Sequence, residues 1–145
     1  MSTATFHTVD PSSDEFQLFV HGYKVTTLWA SHTEGDDPEP LDGVYSIEDF
    51  GDSANERIHE DCLSFLERGG YAAIEQAIVT GDVVCGPDFD EWGRAGHDLW
   101  LTRNHHGAGF WDGDWPEPYA AQLTEMAHAL GECSIYESEG QLFIE

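Results

Sequence analysis

A chain that carries 29 Asp and Glu against 5 Lys and Arg has to fold against its own repulsion. The formal net charge is -24 over 145 residues, and Lys24 is the single lysine. Self-repulsion on this scale opposes compaction, so a folded domain that keeps it is expected to use it. The apolar means to fold are present: 40% of the residues are hydrophobic, including five Trp, eight Phe and five Tyr. A disordered acidic tail lacks that aromatic content. The acids are also dispersed, the longest runs being pairs such as Asp36-Asp37 and Glu60-Asp61. The length suits one acidic domain over 1–145, with residues 1–11 as a candidate disordered lead.

Cys62, Cys85 and Cys133 are odd in number and show no C-x-x-C spacing, which argues against a disulfide framework or a structural zinc site. The N-terminus lacks the basic start and apolar core of a signal peptide. No apolar run approaches the length of a membrane span. A reducing, cytoplasmic setting is the expectation. So acidic a surface would be repelled by anionic membranes and nucleic acids alike, so neither is expected to bind it directly.

Ser12 with Glu15 reads as a capping box, and Phe16, Phe19, Val20 and Tyr23 follow helical spacing, which predicts a helix over 13–30. Val25, Thr26 and Thr27 favour a strand and Gly22 weakens a helix, so a strand pair turning at Gly22 is the alternative. Residues 31–45 read as a loop, with Pro38, Pro40 and Gly35 among acids. A short turn over 47–50 follows Ser46. Ser53 with Glu56 opens a helix to about residue 68, stopped by Gly69-Gly70. A third helix covers 71–80 and ends at Gly81.

Residues 97–103 read as strand-like, with 108–111 returning antiparallel through a turn at 104–107. A helix over 116–130 has Pro near its start and Gly131 past its end. Two closing strands, 133–137 and 141–145, flank a turn at Ser138-Glu139-Gly140. The expected class is α+β: N-terminal helices followed by a ββαββ unit, forming a small antiparallel sheet covered by helices.

The run 96–112 is the densest stretch of chemically capable residues: His97, Asp98, Arg103, His105, His106 and Asp112, with Trp100 and Trp111. Adjacent histidines on a strand point to opposite faces and do not share a metal easily. Within this run no H-x-E or H-E-x-x-H spacing is present, so no metal is expected. No G-x-S-x-G occurs, and Gly107-Ala108-Gly109 is too short for a phosphate loop. No catalytic signature and no cofactor site follow. The plain alternative is an aromatic core, with Leu99, Leu101, Phe110 and Trp111 packed under helices and Arg103 paired with an acid such as Asp112.

The acids concentrate in 34–61: Glu34, Asp36, Asp37, Glu39, Asp42, Glu48, Asp49, Asp52, Glu56, Glu60 and Asp61, against Arg57 alone. Surfaces built for solubility usually mix both signs. A domain of this length has a diameter of roughly 38 Å. B-DNA of that length carries about 22 charges, close to the charge of this chain.

Gly96-His97-Asp98-Leu99-Trp100-Leu101-Thr102-Arg103-Asn104, with Gly107-Ala108-Gly109-Phe110-Trp111-Asp112, resembles a recurring pattern in small uncharacterised acidic proteins of tailed bacteriophages. Leu28-Trp29-Ala30-Ser31, Tyr45-Ser46-Ile47-Glu48-Asp49 and the closing Ile135-Tyr136 are similar to the same family, so the likeness covers roughly residues 26–145. It departs at His105-His106, where the pattern has one histidine, and near 81–90, which looks like an insertion. The resemblance brings no biochemical activity. It implies a phage or mobile-element origin and a host-directed inhibitor rather than a metabolic enzyme.

The reading that follows is an acidic DNA mimic acting in the host cytoplasm. It would block a basic DNA-binding surface of a defence system, such as a CRISPR effector complex or a restriction enzyme. The acids of 34–61 are the expected contact surface, with Arg103, Trp111 and Asp112 as a secondary one. Two rivals stand beside it: an acidic protein adapted to high salt, and a small metal-dependent enzyme built on the 97–112 hairpin.

Overall fold

A computed structural model describes residues 8–33 and 35–145. Among the described residues the chain forms five α-helices closed by one β-hairpin: α1 (Asp14–Trp29), α2 (Asp52–Phe65), α3 (Tyr71–Thr80), α4 (Glu91–Arg103), α5 (Tyr119–Leu130), β1 (Ile135–Ser138) and β2 (Gln141–Ile144). It is α+β, with helices first and a two-stranded antiparallel sheet at the C-terminus. The expected disordered lead covers residues 1–11. Residues 1–7 lie outside the described residues, but Val9 is buried and its amide donates to Glu67 Oε2 at 3.2 Å.

α1 is a single helix, so Gly22 is no turn. Its cap is Ser13, whose hydroxyl accepts from the Phe16 amide at 3.3 Å; Ser12 instead bonds the Asp10 carboxylate. The strand-favouring Thr26 and Thr27 are accommodated because their buried hydroxyls donate back to the Gly22 and Tyr23 carbonyls, both at 2.8 Å. Bonding to the previous turn satisfies each hydroxyl without solvent. Gly22 is required for packing. A Cβ there would stand 2.0 Å from the Gly93 carbonyl oxygen of α4, and one on Gly96 would stand 1.9 Å from the Phe19 carbonyl oxygen of α1. The two helices therefore touch backbone to backbone.

The first two strands of the expected ββαββ unit do not exist. Residues 97–103 belong to α4, and residues 108–111 form a turn. α4 starts at an Asp90 cap, whose carboxylate accepts from the Gly93 amide at 2.8 Å. Every residue from 95 to 103 is buried. A helix enclosed on all sides shows no polar stripe, and a short enclosed segment reads like a buried strand.

Elsewhere the turn chemistry sets the elements. Ser46 and Asp49 form a reciprocal capping box on a short 3-10 turn, Ile47–Asp49. α2 begins at Asp52 after Gly51, whose amide donates to the Leu142 carbonyl at 2.9 Å and ties the helix to β2. Gly69, at φ 123°, breaks α2 from α3, and Gly81, at φ 77°, ends α3. Positive φ at Glu139 and Gly140 makes the two-residue turn that pairs Ser138 with Gln141. α5 is shorter than expected, starting at Tyr119, and buries Ala120, Leu123 and Ala127.

Candidate functional site

Within the run 96–112, the α4 residues 96–103 form a buried polar scaffold. Along α4, residues four apart share a side, and the arrangement follows that period. Asp98 is fully buried. One oxygen lies 2.8 Å from His97 Nδ1; the other accepts from Trp115 Nε1 at 2.7 Å and stands 3.4 Å from Arg94 Nε. Arg94 reaches on to Asp114 at 2.5 Å. Despite that contact, burial and the neighbouring Asp112 hold the Asp114 carboxyl above its ordinary pKa.

One turn on, Thr102 Oγ1 accepts from the buried Phe110 amide at 3.0 Å, and Gly109 lies so close that a Cβ would sit 2.2 Å from that oxygen. Thr102→Val keeps the shape and strands the amide. A loss of about 1–3 kcal/mol is expected, together with faster hydrogen exchange at Phe110; unchanged exchange would show that the turn does not depend on this bond.

Arg103 is the largest fully buried side chain. Its Nη1 donates to Asp61 Oδ2 at 2.8 Å and to the Tyr23 hydroxyl at 3.0 Å, and its Nε caps the Gly131 carbonyl at 2.7 Å. Arg57 Nε donates to the same Asp61 oxygen at 2.9 Å. Burial acts to lower the Arg103 pKa, but its hydrogen-bonded neighbours, the Asp61 carboxylate among them, outweigh it, so the guanidinium stays charged. Burial likewise pushes the Tyr23 hydroxyl and the Cys62 thiol upward, keeping both neutral.

Two expected surface residues, Arg103 and Asp61, are thereby corrected. Arg103 is internal and pairs with Asp61, not Asp112. Asp61 faces inward to hold it. Trp111 is half-exposed, and Asp112 is exposed, accepting from the Gly109 amide at 3.3 Å. His105 stacks on His128 at 4.7 Å, away from His97, and His106 is exposed. No group of three or more His, Cys, Asp or Glu among the described residues is arranged to hold a metal ion.

The remaining acids lie on or near the surface. Asp36, Asp37, Glu39, Asp42 and Glu48 are exposed on the segment before α2, while Asp49 is half-buried in its capping box; Glu34 lies outside the described residues. Asp52, Glu56 and Glu60 are exposed along α2 at four-residue steps, each advancing about 6 Å. Glu67 does not continue the row, because it is half-buried on the Val9 amide.

Three of the five basic residues, Arg57, Arg94 and Arg103, are engaged by Asp61, Asp98 and Asp114. These pairs cancel, so the whole net charge of -24 rests on the other groups, among which only Lys24 and Arg68 are basic. Sequence reasoning from 96 onward missed Arg94 and Trp115. The Arg94–Asp98 spacing, an ion pair at i,i+4, was the available signal.

No helix among the described residues is long and apolar enough to cross a membrane. Comparison with protein-family models, curated proteins and solved structures finds no match.

Proposed function

We propose that this protein is an acidic decoy for a nucleic-acid-binding surface: a phage or mobile-element inhibitor that occupies the DNA site of a host defence nuclease, such as a CRISPR effector or a restriction enzyme. One observation carries the reading. The fold pairs three of its four arginines with carboxylates, Arg103 fully buried among them, which leaves an exterior where acids far outnumber Lys24 and Arg68, with a carboxylate row on α2. A basic groove that binds it would release the counterions that DNA releases.

The test is competition for target DNA on a purified effector. The wild type should displace DNA, and displacement should weaken steeply as salt rises. The variant D36K/D37K/E56K/E60K alters only exposed side chains, so its circular dichroism should be unchanged. It should lose at least about a hundredfold in competition, and its logarithmic salt slope should fall by about one for each contact removed. Equal competition by wild type and variant would remove the acidic surface from the mechanism. A wild type that folds only in molar salt would favour the salt-adapted reading.

A further inference from the structure

A cavity of about 380 Å³ opens beside α1 and α4 and shares no residue with the carboxylate row; its walls include Trp29, Phe89, Asp88, Arg94 and His97. The His97 ring packs against both the Trp29 and the Phe89 ring, with centroids 5.6 Å and 5.5 Å away. Its Nδ1 faces the buried Asp98 carboxylate at 2.8 Å, and Asp98 is fixed in turn by Trp115. In the tautomer that carries its proton on Nδ1, facing Asp98, Nε2 is an acceptor. Among the described residues no hydrogen bond reaches Nε2.

The charge in the cavity is equally defined. The Arg94 guanidinium is offset by Asp114 at 2.5 Å and Asp98 at 3.4 Å. Asp88 is exposed and in no ion pair among the described residues, and His21 also lines the wall. Trp29 is 43% exposed, so part of its ring is open to solvent.

An aromatic face, a nitrogen acceptor and a carboxylate together fit a planar cation with several N–H donors. A guanidinium stacks on Trp, donates to an acceptor and pairs with a carboxylate at the same time; an ammonium does not stack. The volume is near the lower end of small-ligand pockets, about 300–1,000 Å³, which suits one side chain. We propose that this cavity takes an arginine side chain of the protein's partner. The basic character of that partner rests on the decoy reading; the guanidinium chemistry rests on the cavity alone.

The experiment is a nitrogen-15 NMR titration of the full chain with ethylguanidinium, ethylammonium and inorganic phosphate at matched ionic strength. Ethylguanidinium should give saturable shifts centred on the Trp29 indole, Phe89 and the His97 ring, and should bind about tenfold more tightly than ethylammonium. Trp29→Leu and Asp88→Asn change exposed groups and should each weaken it severalfold without loss of fold. Three results overturn the proposal: equal shifts from both cations spread over the acidic surface, saturable phosphate binding in the cavity, or full guanidinium affinity in both variants. DNA competition by wild type and Trp29→Leu separates the two readings. Guanidinium selectivity without any displacement of DNA removes the decoy and leaves the cavity. Displacement of DNA without guanidinium selectivity removes the cavity and leaves the decoy.

Discussion

Arg103→Met should destabilise the protein by about 3–5 kcal/mol, read as a fall in the urea midpoint. The guanidinium ties three parts of the chain together: Tyr23 on α1, Asp61 on α2 and the end of α5 at Gly131. Removing it leaves an inward carboxylate, a buried hydroxyl and a carbonyl short of their donor. Arg57 still reaches Asp61, but its side chain is 39% exposed and solvent-screened, so it recovers little of the loss. Asp61→Asn should cost less, because Arg103 keeps Tyr23 and Gly131. The double variant Arg103→Met with Asp61→Leu should recover part of the deficit, since removing both charges relieves the stranded one. A loss under about 1 kcal/mol for Arg103→Met would mean that this arginine does not organise the core.

Gly96→Ala and Gly22→Ala should be nearly as damaging, although helix propensity alone favours alanine by about 1 kcal/mol. Each new methyl would enter a backbone carbonyl, at 1.9 Å from Phe19 O and 2.0 Å from Gly93 O respectively. No side-chain rotation relieves a clash with main chain. α1 and α4 would have to separate, which we expect to cost about 3 kcal/mol or more. Gly43→Ala is the control: nothing lies within 4 Å of its Cβ position, and the midpoint should hold. Stabilisation by Gly96→Ala would show that the helices are not held at backbone contact.

Features written in local chemistry were legible in the sequence. The Ser46–Asp49 cap, the stop at Gly81, the end at Gly131 and the turn at Glu139-Gly140 each depend on a few adjacent residues. The segment 91–111 was not legible as a helix and a turn. Its helical period is carried by polar residues that face inward, so burial does not separate its faces. A reading that begins at His97 also omits the Asp90 cap and the Arg94 partner, the two signs that a helix starts earlier. The candidate surface was legible as composition. Which acids stay outside was not, because Asp61 differs from Glu60 only in the face of α2 it occupies, and that depends on Arg103, distant in the chain.

The division of labour among the carboxylates has a consequence for how such a protein can change over generations. Asp61, Asp98 and Asp114 hold Arg57, Arg94 and Arg103, while among the described residues no hydrogen bond or ion pair of the side chains engages Asp52, Glu56 or Glu60. Scaffold and exterior are therefore separable. Substitutions on the exterior can follow a drifting partner one residue at a time, with the polar core constant beneath them. Lineages built this way would diverge fastest along α2 and the segment before it, and slowest along α4.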